Sequence, residues 1–192
     1  QTGSTLYLPV AALGGYVYQR FTFPGEGAVG DTVRIAVSSP GKLLSLGVLG
    51  SVQLATLKAG VANNDLTNLN SALISLELLS GGTQALLTFV PAQTFDQVEL
   101  RLNAGVASAL NTINVNYAQH VIAAPQVSAA NVTTCNGASA TLTVQNPRLG
   151  FTYKWYNEAG VYQADGVTFT TPNITATTKF YVTASSGSGC ES

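Results

Sequence analysis

Histidine and charge are what this chain lacks most. His120 is the only histidine in 192 residues. A serine-type triad would have to be built on it, because an imidazole is the group that accepts and returns the proton. It falls where the composition changes, so the expected reading is a polar linker residue. Methionine is absent. Eight lysines and arginines face nine aspartates and glutamates, a charged share of 9% where about 25% is usual. A net charge of −1 with no basic cluster leaves no footprint for nucleic acid. No apolar run approaches the ~18 residues that span a bilayer, so no membrane insertion is expected. The nine carboxylates show no repeated spacing that would suggest the paired acids of glycoside hydrolysis. One histidine and two distant cysteines do not make a tetrahedral zinc set. These absences predict a protein that is not an enzyme and needs no resident cofactor.

What is present is alternation. Val33, Ile35 and Val37 alternate with polar or small neighbours, as do Ile74, Leu76 and Leu78. The same period of two runs through Val98, Leu100 and Leu102, and through Ile113, Val115 and Tyr117. One apolar and one polar face per run is the pattern of a strand that covers a core on one side. Between the runs lies turn chemistry: Pro24-Gly25, the stretch from Gly27 to Asp31, Ser39-Pro40-Gly41, Asn63-Asn64-Asp65 and Ser80-Gly81-Gly82. About nine short strands before residue 121 suit a jelly-roll-like sandwich of two packed sheets. The Ala-rich stretch from Asn103 to Asn111 has room for a single helical turn.

A seam falls near Ala123-Ala124-Pro125, within a linker placed at about residues 120–126. The expected division is a jelly-roll-like domain over 1–122 and an Ig-like β-sandwich over 123–192. Beyond the seam leucine becomes scarce, and threonine, aromatics and both cysteines, Cys135 and Cys190, appear. A Cys135–Cys190 disulfide suits an oxidising compartment; two unrelated buried thiols are the alternative. The order Cys135, Trp155, Cys190 is similar to that of an immunoglobulin-like sandwich, but with the bridge tying loop to loop at one end.

The runs Cys135 to Val144, Tyr153-Lys154-Trp155-Tyr156, Gly166 to Thr170 and Thr178 to Val182, closed by Cys190, resemble an Ig-like module. That module recurs in large, repetitive cell-surface adhesins of gliding and other Bacteroidota. Phe95 to Leu102, followed by Leu110 to Tyr117, resembles a domain that precedes such modules. The resemblance implies secretion by the type IX route and display at the bacterial cell surface. The partners it implies are other domains of the same long surface protein. In such modules a strand follows the second cysteine, so the Ig-like sandwich is expected to lack its last strand here. That strand is either cut away or supplied by a partner.

Three sets of residues are candidates for binding or modification. Calcium takes about six to eight oxygen ligands, and Asn63, Asn64, Asp65 and Asn68 form the oxygen-rich turn that could provide them. Glu26 with Asp31 is a second such pair. Tyr16, Tyr18 and Arg20, with Tyr7 and Gln19 nearby, form an aromatic platform for a glycan or surface polysaccharide. Tyr156, Asn157 and Tyr162 offer another. The competing reading is ordinary turn residues and sheet-edge tyrosines. Asp31-Thr32-Val33 resembles the O-glycosylation signal of Bacteroidota, with Thr32 as acceptor. Three functions stay open: a non-catalytic structural and adhesive segment, a carbohydrate-binding module, and a filament subunit completed by strand exchange.

Overall fold

The alternating runs form strands. The structure is a computed structural model that describes residues 3–8, 15–41, 44, 48–69, 74–79, 81–103, 112–186 and 192. The chain divides into two units, Gln1–Val121 and Ile122–Ser192. The stretch expected to hold a helical turn after Asn103 lies outside the described residues.

Ten strands of the first unit are described: β1 (Ser4–Tyr7), β2 (Tyr16–Gly27), β3 (Thr32–Ser38), β4 (Val52–Lys58), β5 (Val61–Ala62), β6 (Thr67–Asn68), β7 (Ile74–Leu78), β8 (Gln84–Phe89), β9 (Phe95–Asn103) and β10 (Thr112–Val121). One sheet runs β1-β10-β3-β8-β7 and the other β2-β9-β4-β5, with β6 also on β4. The antiparallel pairs are nested: β1 with β10, β2 with β9, β3 with β8, β4 with β5. Such nesting is a long hairpin wrapped across two sheets, which is a jelly roll. The core between the sheets is built from inward residues such as Ile35, Leu54, Leu87, Leu100 and Ile113, all fully buried.

Two features depart from the sequence reading. Pro24-Gly25 does not break the chain. β2 continues through it, and its register with β9 shifts between Thr22 and Gly27. β2 is an edge strand, where a proline without an N–H removes no ladder bond and a bulge is tolerated. The second departure is in β10. Val115 pairs with Val37, but Tyr117 pairs with Ala36, so an extra residue intervenes. A bulge reverses the parity of everything after it. Tyr117, expected in the core, is 44% exposed. His120, expected in a linker, pairs with Val33 inside β10 and turns its side chain inward.

The second unit holds β11 (Thr141–Thr143), β12 (Thr152–Asn157), β13 (Tyr162–Asp165), β14 (Thr168–Thr170) and β15 (Phe180–Ser185). β11 pairs with β14, and β13-β12-β15 form the second sheet. Ile122, Val144, Tyr153, Trp155, Phe169 and Ala184 are its buried core. Trp155 stacks on Phe169 at 5.5 Å between ring centroids, and its Nε1–H donates to Gly166 O at 2.9 Å. A buried indole needs that partner, because an unpaired N–H would carry its full desolvation cost. Ser192 lies beside β15: its N–H donates to Ala184 O, and its Oγ accepts from Ala184 N–H.

Gly27 shows how tightly the first core closes. A Cβ at position 27 would stand 2.3 Å from ring atoms of Phe95. Phe95 is fully buried and packed by Phe23 and His120, so it has nowhere to move. Gly27→Ala is expected to destabilise the chain by about 1–3 kcal/mol through overpacking. The check is a lower urea midpoint with an unchanged m-value.

Candidate functional site

Strand pairing assembles the first unit's candidate site on the outer face of the β2–β9–β4 sheet. Residues paired across antiparallel strands share a face. Tyr16 lies opposite Asn103, Tyr18 opposite Arg101 and Arg20 opposite Glu99, while Gln53 of β4 lies on the other side of Arg101. The inward partners of the same strands, Val17, Phe21, Val98, Leu100 and Leu102, belong to the core. The outer row is therefore held on a rigid backing.

Glu99 is the centre of this face. It is 2% exposed although it points away from the core. Arg20 Nη2 and Nε donate to its Oε2 at 2.8 and 3.2 Å, and Arg101 Nε donates to its Oε1 at 2.6 Å. Burial pushes the carboxyl up. The bonds from Arg20 and then Arg101 outweigh burial and hold it below its ordinary value. The guanidiniums also order the rings. Arg101 Cζ sits 4.7 Å from the Tyr16 centroid, and Arg20 Cζ 5.6 Å from that of Tyr18, both within cation–π range. Tyr16 and Tyr18 are 48% and 51% exposed, with centroids 6.2 Å apart. Beside them runs a row of amides: Asn103 Nδ2 donates to Gln53 Oε1, and Gln53 Nε2 donates to Asn68 Oδ1 at 2.7 Å.

Tyr16, Tyr18 and Arg20 are thus brought together. Gln19 is not with them: its register partner is Leu100, and its Oε1 accepts from Ser4 Oγ. Sequence reading missed Glu99, Arg101, Gln53 and Asn103. Their signal is a shared outward parity, which becomes useful only once β2, β9 and β4 are known to be neighbours.

Asp65 accepts from Thr56 N–H at 2.8 Å and from Thr56 Oγ1 at 2.5 Å. Asn63 Nδ2 donates to Thr56 Oγ1 and Thr94 O, Asn64 adopts φ 57°, and Asn68 bonds Gln53. The side-chain oxygens of Asp65 and Asn68 thus serve two different neighbours. Glu26 pairs with Lys58. Asp31, fully buried, accepts from Ala28 N–H at 2.9 Å and meets His120 Nε2 at 2.8 Å. The rings of Phe23 and Phe95 pack on that imidazole. Thr32 opens β3 half-buried and pairs with Val121. In the second unit Asn157 Oδ1 accepts from Ala159 and Val161 N–H and so organises its own turn, while Tyr156 and Tyr162 meet edge to face. A cleft of about 700 Å³ there is lined by Leu142, Trp155, Ile174 and threonines. Cys135 carries a free, exposed thiol in this structure, and Cys190 lies outside the described residues.

Residues 123–192 match a family described as an Ig-like domain, CHU_C associated. This is a domain type found in surface proteins of Bacteroidota. No curated protein matches the chain. Among solved structures, the CD2-binding domain of CD58 (lymphocyte function-associated antigen 3) aligns at 11% identity. The alignment covers 86% of this chain and 91% of that one with a TM-score of 0.26, too low to bear on the argument. The chain is an all-β protein, a jelly-roll sandwich followed by an Ig-like sandwich. No helix among the described residues is long and apolar enough to cross a membrane.

Glu99 makes the stability of the first unit depend on pH. Its folded-state pKa is depressed, so the stability it contributes is present above the ordinary value of 4.5 and lost as pH falls through the folded value. Glu99→Gln is expected to cost about 1.5–3 kcal/mol at neutral pH, the range for hydrogen bonds to a charged group. The gap between variant and parent should close on acidification below pH 4.5, as read by urea midpoints across that range.

Proposed function

We propose that this chain is a non-catalytic structural and adhesive segment of a secreted bacterial cell-surface protein, akin to the large gliding adhesins exported by the type IX route. The observation that carries the reading is the Ig-like family match, which falls on the sandwich built around Trp155. The surroundings of His120 support it. Its Nε2 is held on a buried aspartate and its ring lies against two phenylalanines, an arrangement that serves packing. In this reading the partners are neighbouring domains of the same surface protein.

Antibodies raised against the chain should label intact, unpermeabilised source cells, and their Fab fragments should reduce attachment of those cells to solid surfaces several-fold. Labelling that requires lysis would overturn the reading.

Cys135 and Cys190 pair in the secreted protein under the same proposal. The bridge would stabilise the second unit by between about 3 and 4.7 kcal/mol in the chain-entropy model. Thiol titration of the unreduced, denatured secreted protein is expected to find no reactive thiol, and to find both after reduction. Two thiols before reduction would rule the bridge out.

A further inference from the structure

We propose that the outer face of the β2–β9–β4 sheet binds an acidic polysaccharide, one whose sugars carry carboxylates as uronic acids do. The proposal supplies the adhesive reading with a ligand but does not rest on it: the site would bind the same class in a protein of any other role.

Charge decides the class. Two guanidiniums, Arg20 and Arg101, share one carboxylate, Glu99, so the patch carries a surplus of one positive charge in a chain whose net charge is −1. Among the described residues Arg101 engages Glu99 through Nε only. Its Nη edge remains for a second carboxylate, the planar anion that a guanidinium fork matches best. Arg20 is more than a third exposed, so it too reaches solvent. The rings decide that the ligand is a sugar. Tyr16 and Tyr18 stand half-exposed on one strand edge, each carrying an apolar body and a hydroxyl tip. An apolar ring face suits the C–H face of a pyranose, and the hydroxyls of that pyranose find the amides of Gln53, Asn68 and Asn103 next to it. The hydrogen bonds from Asn103 to Gln53 to Asn68, and the arginines locked on Glu99, hold these groups in place before any ligand arrives. Preorganisation of that kind lowers the entropic cost of binding.

The test is affinity electrophoresis of the 192-residue chain in gels containing polygalacturonate, alginate or hyaluronate, with carboxyl-reduced polygalacturonate as the neutral control. Retardation by at least one acidic polymer is expected, with none by the reduced one, and weakening as salt is raised past about 0.15 M. Tyr16→Ala and Tyr18→Ala should each weaken retardation about tenfold, equivalent to a 1.4 kcal/mol loss. Both rings are surface groups, so unchanged melting temperatures should accompany that loss. Arg101→Lys keeps the charge and removes the fork, and should weaken binding similarly. Should this variant unfold, the tyrosine variants carry the test alone. Retardation by none of the acidic polymers would overturn the proposal. So would equal retardation by the reduced polymer, or tyrosine variants that bind like the parent. Each of these results leaves the surface-labelling experiment unaffected, so the two readings fail separately.

Discussion

A carboxylate buried on the outward side of a sheet has to be compensated, and the compensation at Glu99 organises its whole surroundings. Removing water from an ionised carboxylate is costly unless charge and hydrogen bonds replace the water. Arg20 and Arg101 supply both, one from each side of the carboxyl. Being fixed there, each guanidinium settles against a tyrosine ring. The rings are then presented to solvent in fixed orientations. Function on this face would thus descend from one electrostatic demand, and the demand exists because β9 lies between two neighbours, β2 and β4.

That chain of causes explains what was legible in the sequence. Period-2 alternation at Val33, Val98 and Ile113 is local, so it marked strands and their core faces without any knowledge of partners. Jelly-roll class followed from the number of strands and the shortness of their connections. Leucine and cysteine usage changes near residue 123, close to where the two units divide. What could not be read was anything that depends on which strands are neighbours. Tyr16, Tyr18 and Arg20 could be grouped, being two residues apart. Glu99, Arg101 and Gln53 could not be joined to them, since they are tens of residues away and only pairing brings them close. Gln19 does not belong with them, and here the signal is local: alternation along β2 puts it on the other face, opposite Leu100.

The bulge in β10 is the second place where local reading failed. One extra residue exchanged the faces of Tyr117 and His120. The inward turn of His120 then required a polar partner in the interior, and Asp31, at the end of the turn after β2, meets it. Phe23 and Phe95 close over the imidazole, and Phe95 in turn requires glycine at position 27. A histidine that looked like a linker residue is in this way tied to a proline-containing bulge almost a hundred residues earlier. Sequence alone could not show this, because nothing local distinguishes a strand with a bulge from one without.

The two units differ in how they meet the cost of ordering a chain. The first encloses a large aliphatic core between two sheets, and its stability can tolerate a polar, charged outer face. Among the described residues, the second has a smaller buried core, centred on Trp155. Small domains bury a smaller fraction of their surface and commonly need a covalent staple. A bridge between Cys135 and Cys190 acts mainly on the unfolded chain, so it would add stability without altering the packing around Trp155. Held at both cysteines, the chain of this unit would stay closed even where those contacts fail.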